Sequence, residues 1–243
     1  MKELKILRVK DKLDKFGVKK TVTPNLSHRA LFIAKSGVGK SNLIVNLLLR
    51  AENEFYRDDF DGDNIFLISP SINSDDKLRL IVEQKDIPDC NVYDCYDTQI
   101  LMTIYETIKK EYMSAVNDKQ KPPNFLIIID DCADSLKCGG RSNPLEKLYI
   151  AGRHYNITVW TTSQYYTSVP PVVRNNTNVL YVWNTSYKEI HKIAEEFSDV
   201  KTDEFIKQFR ESTGGEKHNF MVIDTTRSNE EKYKNHNFEI CSF

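Results

Sequence analysis

The chain has 243 residues, 40% of them hydrophobic and 28% charged, and its 34 Lys and Arg against 35 Asp and Glu leave a net charge of −1. That length buries a core without disulfide staples, and that balance excludes collagen-like, disordered and membrane-embedded classes. Near-neutral charge gives no general attraction to nucleic acid, so any such contact must come from local basic patches.

Residues 1–28 read as a basic N-terminal segment, with nine Lys or Arg and three Asp or Glu between Met1 and Arg29. The segment has no apolar h-region or small-residue cleavage site, so no secretion signal is expected. No run of about 18 apolar residues follows anywhere, so no membrane-spanning segment is expected either. Cys90, Cys95, Cys132, Cys138 and Cys241 are odd in number and form no Cys-x-x-Cys pair, which reads as free thiols.

The first predicted strand, Ala30 to Ile33, runs into Ala34-Lys35-Ser36-Gly37-Val38-Gly39-Lys40-Ser41-Asn42 and then a helical pattern from Lys40 to Glu54. A strand, a glycine-bearing loop, Gly-Lys-Ser and a helix, in that order, form the context that makes a phosphate-binding loop credible. Gly37 and Gly39 let the backbone turn its N–H groups inward toward phosphate oxygens, which the helix N-terminus also favours. Ser36 to Asn42 are the expected nucleotide-binding residues. Lys40 would reach the β and γ phosphates, and the Ser41 hydroxyl would hold Mg²⁺. Ala34 stands where the strict pattern has Gly, which is tolerable if its φ is negative. An acidic run follows, with six Asp or Glu and one Arg between Ala51 and Asn64, and reads as a solvated face.

A second strand is predicted at Asn64 to Ser69. A helix from Gln99 to Asn117 carries Ile100, Leu101, Ile104, Ile108 and Tyr112 at a spacing near 3.6. The third strand, Asn124 to Ile129, ends in Asp130-Asp131. Asp130 at the strand end would bind Mg²⁺, and Asp131 would orient and polarise an attacking water. Lys137-Cys138-Gly139-Gly140-Arg141 then reads either as a basic loop that touches phosphates or as a plain turn. A helix from Asn143 to Gly152 leads to the strand Ile157 to Thr162. Gln164 just beyond it is either an exposed loop amide or a group that senses the γ-phosphate at a carboxyl strand end.

A strand at Val179 to Trp183, helices at Ser186 to Phe197 and Asp203 to Glu211, and strands at His218 to Asp224 and Asn235 to Ile240 complete the pattern. The strands are apolar on successive positions, as strands covered on both faces are. The expected fold is α/β, a mostly parallel central sheet flanked by helices. Residues 29–200 form the core, and residues 201–243 a small C-terminal appendage, a helix and hairpin packed on it.

The order of motifs, from Lys40-Ser41 through Asp130-Asp131, Arg153-His154 and Gln164 to Arg174-Asn175, resembles the FtsK-HerA superfamily over approximately Arg29 to Asn184. More narrowly, it is similar to the poxvirus-type genome-packaging ATPases of large DNA viruses and virophages. The resemblance implies an additional-strand, RecA/FtsK-like P-loop NTPase that uses ATP and Mg²⁺. It further implies a homo-oligomeric ring, pentamer or hexamer, that drives double-stranded DNA into a preformed capsid, with capsid or portal proteins as partners. The setting it implies is the virus factory of the host cytoplasm, and the virion. On this resemblance Lys40 and Ser41 match the Walker-A residues, Asp130 and Asp131 the Walker-B pair, and Gln164 the sensor glutamine. An arginine finger would come from a neighbouring subunit, with Arg153 the first candidate, Arg174 the second and Arg141 the third. DNA contacts would go to phosphates, without base readout. A cellular-type DNA pump of the same superfamily would share these motifs. A small-molecule kinase fits less well, since no Arg-rich lid lies between the strands.

Overall fold

Strands buried on both faces need a sheet between two helical layers. The computed structural model, which describes residues 20–52, 55–132 and 143–241, has that architecture. Its strands are β1 (Arg29–Ile33), β2 (Ile65–Ile68), β3 (Val92–Tyr93), β4 (Phe125–Ile129), β5 (Ile157–Ser163), β6 (Val179–Trp183), β7 (Phe220–Asp224) and β8 (Tyr233–Lys234). They form one sheet in the order β3-β2-β4-β5-β1-β6-β7-β8. The first six in that order pair parallel, while β7 runs antiparallel to β6 and β8 antiparallel to β7. β5 is thus inserted between β1 and β4 and hydrogen-bonds to both.

The helices are α1 (Lys40–Leu49), α2 (Asp76–Gln84), α3 (Thr98–Asn117), α4 (Pro144–Ala151), α5 (Pro171–Asn176), α6 (Tyr187–Phe197) and α7 (Thr202–Thr213). Period-two alternation sorts the sheet residues into two cores. Leu31 and Ile33 of β1 face the side that holds Leu101, Leu148, Ile193 and Phe209 of α3, α4, α6 and α7. Ala30 and Phe32 face the side that holds Ile44, Leu47 and Ile81 of α1 and α2. On that second face Phe32 stacks on Tyr181 of the neighbouring strand at a centroid distance of 4.6 Å.

Two predicted elements are corrected. The first helix stops at Leu49 instead of reaching Glu54, because Arg50 turns extended and the Tyr56 N–H takes the Leu47 carbonyl at 2.8 Å. The second strand of the C-terminal hairpin lies at Tyr233–Lys234 instead of Asn235 to Ile240, with Ile240 making only an isolated bridge back to Lys234. Helix α2 and strand β3, between β2 and α3, and helix α5, between β5 and β6, lie outside the predicted elements. β7 extends the main sheet directly through β6. Residues 1–19 of the basic segment and the 137–141 loop lie outside the described residues.

His28, just before β1, is fully enclosed, at 1% exposure. Trp160 Nε1 can only donate, so His28 Nε2 accepts its 2.8 Å bond and Nδ1–H donates to the Asn25 carbonyl at 2.8 Å. The ring is therefore neutral, and burial lowers its pKa from 6.5 to about 4. The unfolded chain binds that proton more readily, so this group's contribution to stability is complete above pH 6.5 and is lost as pH falls through 4, amounting to about 3 kcal/mol. Urea midpoints measured from pH 7.5 to 4 are expected to fall less steeply in His28→Gln, which keeps an acceptor for Trp160 but cannot titrate. Parallel profiles would refute the assignment.

Candidate active site

The parallel strands bring their carboxyl ends to one edge, where an open α/β sheet places its ligand crevice. From β1 the chain enters the glycine loop. Gly37 has φ +72° and Gly39 φ +120°, backbone that a side chain disfavours. Ala34 is not among the residues with positive φ, and its N–H continues the sheet by donating to the Ser163 carbonyl at 3.0 Å. That is why alanine is tolerated where the strict pattern has glycine. Gly39 caps α1, accepting from the Leu43 N–H at 2.9 Å. The Lys40 ammonium folds back on the loop, donating to the Ala34 carbonyl at 2.7 Å and to the Lys35 carbonyl at 3.3 Å. Burial lowers its pKa, and the charges of Asp130 and Asp131 oppose that shift.

From β4 the chain delivers the two acids in different environments. Asp130 is 4% exposed, and its two oxygens accept from Thr162 Oγ1 at 2.8 Å and Ser69 Oγ at 3.1 Å. Burial pushes this carboxyl upward, and those two hydrogen bonds pull it back down. Asp131 is exposed, with a left-handed φ of +50°, a conformation Asp adopts more readily than most residues. Its N–H is held by Thr162 Oγ1 at 2.9 Å. Gln164, just beyond β5, reaches Asp131 Oδ1 with its Nε2 at 3.5 Å. One hydroxyl on the intervening strand therefore orients both acids.

Ser36, Gly37, Gly39, Lys40, Ser41, Asn42, Asp130, Asp131 and Gln164 line one cavity of about 520 Å³. Val38 does not line it and packs instead against the α1 face of the sheet. Sequence reasoning missed Ser71, Asp75, Lys77 and His218, which complete the lining. Asp75 caps α2, with one carboxylate oxygen on the Lys77 and Leu78 N–H groups and the other accepting from Ser41 Oγ at 3.0 Å. Asn73-Ser74-Asp75-Asp76 before Leu78 and Ile81 is a helix-start signal that would have found it. Asp130, Asp75 and Ser41 form an all-oxygen donor set, which suits a hard cation such as Mg²⁺ that keeps several waters and takes one or two carboxylates.

Arg153 lies outside this cavity. It is exposed and precedes β5 at its amino end, seven strand residues from the carboxyl edge, or about 23 Å at the usual rise. Arg174 is tied internally: it pairs with Glu196 at 3.2 Å, donates to the Val169 carbonyl at 3.1 Å and lies over the Tyr166 ring at 5.2 Å. Arg141 lies outside the described residues.

The poxvirus A32 protein family matches the chain over residues 19–239. Among curated proteins, uncharacterized protein 088R of Invertebrate iridescent virus 3 is 26% identical over 172 residues, covering 70% of this chain and 58% of its own length. Uncharacterized protein 015R of Frog virus 3 is 23% identical over 145 residues, covering 58% of this chain and 43% of its own. The chain thus spans about half the length of the curated relatives it matches. Among solved structures, the DNA-packaging ATPase B204 of Sulfolobus turreted icosahedral virus superposes with a TM-score of 0.56 at 15% identity, covering 86% of this chain and 96% of that one. The genome-packaging NTPase B204 of Sulfolobus turreted icosahedral virus 2, in complex with AMPPCP, gives 0.55 at 14% identity with the same coverage. The two solved structures establish that the chain shares their α/β fold.

Proposed function

This chain belongs to the poxvirus A32 protein family, and from that premise we propose that it is an ATP-driven motor that moves double-stranded DNA in viral genome packaging. The observation that carries the reading is the convergence of Lys40, Ser41, Asp130, Asp131 and Gln164 on one cavity from strands β1, β4 and the inserted β5. The glycine loop and Lys40 bind the triphosphate. Ser41 and Asp130, with Asp75 beside them, hold Mg²⁺, which when bound neutralises charge on the β and γ phosphates.

The chemistry left to the protein is positioning and electrostatics. Asp131 faces the cavity from outside the buried shell, where it can accept a proton from a water aligned on the γ-phosphorus, and Gln164 fixes that carboxylate. Asp130 is held by Thr162 and Ser69, so its oxygens stay aimed as charge shifts. DNA is gripped through phosphates, since a packaging motor meets every sequence. The partners are copies of this chain in a ring, pentamer or hexamer, and capsid or portal proteins, in the virus factory of the host cytoplasm. No described helix is long and apolar enough to cross a membrane.

Arg153 stands too far from its own cavity to act there, and it is exposed. In a ring it supplies the finger for the neighbouring site, a contribution worth roughly 10³ to 10⁵ in turnover. Arg153→Ala and Lys40→Ala are each expected to be inactive, and mixing them to restore turnover, because sites form that combine Lys40 of one chain with Arg153 of the other. Co-assembly of the two without any restored activity would exclude Arg153 as the finger.

A further inference from the structure

Ser186-Tyr187-Lys188-Glu189 opens α6 with the spacing of a capping box, in which the N-cap Ser accepts from the Glu N–H and the Glu side chain turns back to the N-cap N–H. Only the first half is made. Ser186 Oγ accepts from the Glu189 N–H at 3.5 Å, but the Glu189 carboxylate turns away from its own helix. One of its oxygens accepts from the Thr167 N–H at 2.9 Å and the other from Thr167 Oγ1 at 2.6 Å. Both bonds land on the turn Tyr166–Ser168, just beyond Gln164.

The position is costly for an acid. Glu189 is 4% exposed, and among the described residues the ion pairs of α6 run to Glu195 and Glu196 instead. Burying a carboxylate without a cation costs stability, offset here by two charge-assisted hydrogen bonds and by the positive end of the helix. An uncharged side chain would fill the place at lower cost. What the carboxylate adds is direction, since two oxygens on two atoms of one residue fix how that residue is turned.

The chain between β5 and this anchor is short and tied to itself. Ser163 Oγ donates to the Tyr165 carbonyl at 2.9 Å, and Ser168 Oγ donates to the same carbonyl at 2.7 Å. The Tyr165 side chain, 52% exposed, adds little packing of its own. Gln164 therefore takes its direction from β5 on one side and from Thr167 on the other. Its Nε2 stands 3.5 Å from Asp131 Oδ1, the long end of hydrogen-bond distance, where a small shift of the turn makes or breaks the contact.

Resting on the reading of Gln164 as the group that fixes Asp131, we propose that Glu189 is a positioning residue for ATP hydrolysis: it anchors the Thr167 turn and thereby sets the Gln164 amide against the Asp131 carboxylate. Glu189 itself does not line the phosphate cavity. A misplacement of about 1 Å caused away from the chemistry can cost roughly a hundredfold in rate.

The test is a double-mutant cycle on the full chain, with single-turnover ATP hydrolysis and ATP affinity measured for wild type, Glu189→Ala, Gln164→Ala and the double variant. Glu189→Ala is expected to slow hydrolysis roughly tenfold to a hundredfold and to leave ATP affinity within about twofold of wild type. In the Gln164→Ala background it is expected to cost nothing further, because the group it positions is gone. Glu189→Gln, whose amide can accept from the Thr167 N–H and donate to Oγ1, is expected to recover most of the loss. Thr167→Val deletes one of the two bonds from the exposed side of the pair, and is expected to show the same dependence on Gln164 should Glu189→Ala fail to fold. Losses that multiply in the double variant would overturn the proposal, as would an equal fall in rate and affinity in Glu189→Ala. Wild-type turnover in Gln164→Ala would overturn the reading of Gln164 itself, a failure the single variant reveals on its own.

Discussion

Lys40→Ala is expected to lower ATP turnover by roughly a hundredfold to a thousandfold, the usual effect of deleting one preorganised charge-stabilising donor, and to weaken ATP binding as well. The ammonium is the cation that the loop itself places at the phosphate cavity, held by the Ala34 and Lys35 carbonyls. No apolar packing depends on it, so the thermal midpoint is expected to stay close to wild type. Turnover and ligand affinity, measured alongside a melting curve, separate a lost contact from a lost fold. A variant with full turnover would show that the loop does not bind the reacting phosphate.

Asp131→Asn is expected to remove turnover by roughly 10² to 10⁴, the range for a positioned general base, while leaving ATP affinity nearly unchanged. Asparagine is the informative replacement because φ at this position is +50°, a region that Asn tolerates and Ala does not favour. Among the described residues the exposed side chain hydrogen-bonds to Gln164, at 3.5 Å, and not to Thr162, Ser69 or Asp130, so that buried shell stays intact. Single-turnover rates beside an equilibrium titration distinguish the two effects. If Asp131→Asn lost binding and turnover together, Asp131 would belong to the nucleotide-holding set and not to the chemistry.

The parts of the site legible in the sequence are those written locally. The glycine loop is one contiguous string, and Asp130-Asp131 and Gln164 each end an apolar strand, so a parallel sheet brings them to a common edge. What stayed hidden depends on long-range placement. Thr162 reads as an ordinary strand residue until β5 is seen to lie between β1 and β4, where its hydroxyl can reach both acids. His218 is 180 residues from the Val38 carbonyl it meets, and only the antiparallel run of β7 along β6 carries it there. Asp75 is hidden for a different reason: its helix has only nine residues, too short for an apolar periodicity to stand out, so the capping signal before it has no clear helix to start. The hairpin register slipped because Phe238 adopts φ +62°, which breaks a run of residues that otherwise reads as strand.

A motor of this kind must couple hydrolysis at this cavity to duplex DNA. The decisive measurement is steady-state ATP turnover of wild type and Lys40→Ala, each with and without double-stranded DNA of mixed sequence. Stimulation of wild type by DNA, independent of its sequence and absent in Lys40→Ala, is the predicted result. A Lys40-dependent rate that is indifferent to DNA and rises with a small phosphate acceptor would contradict the motor and point to a kinase on the same loop.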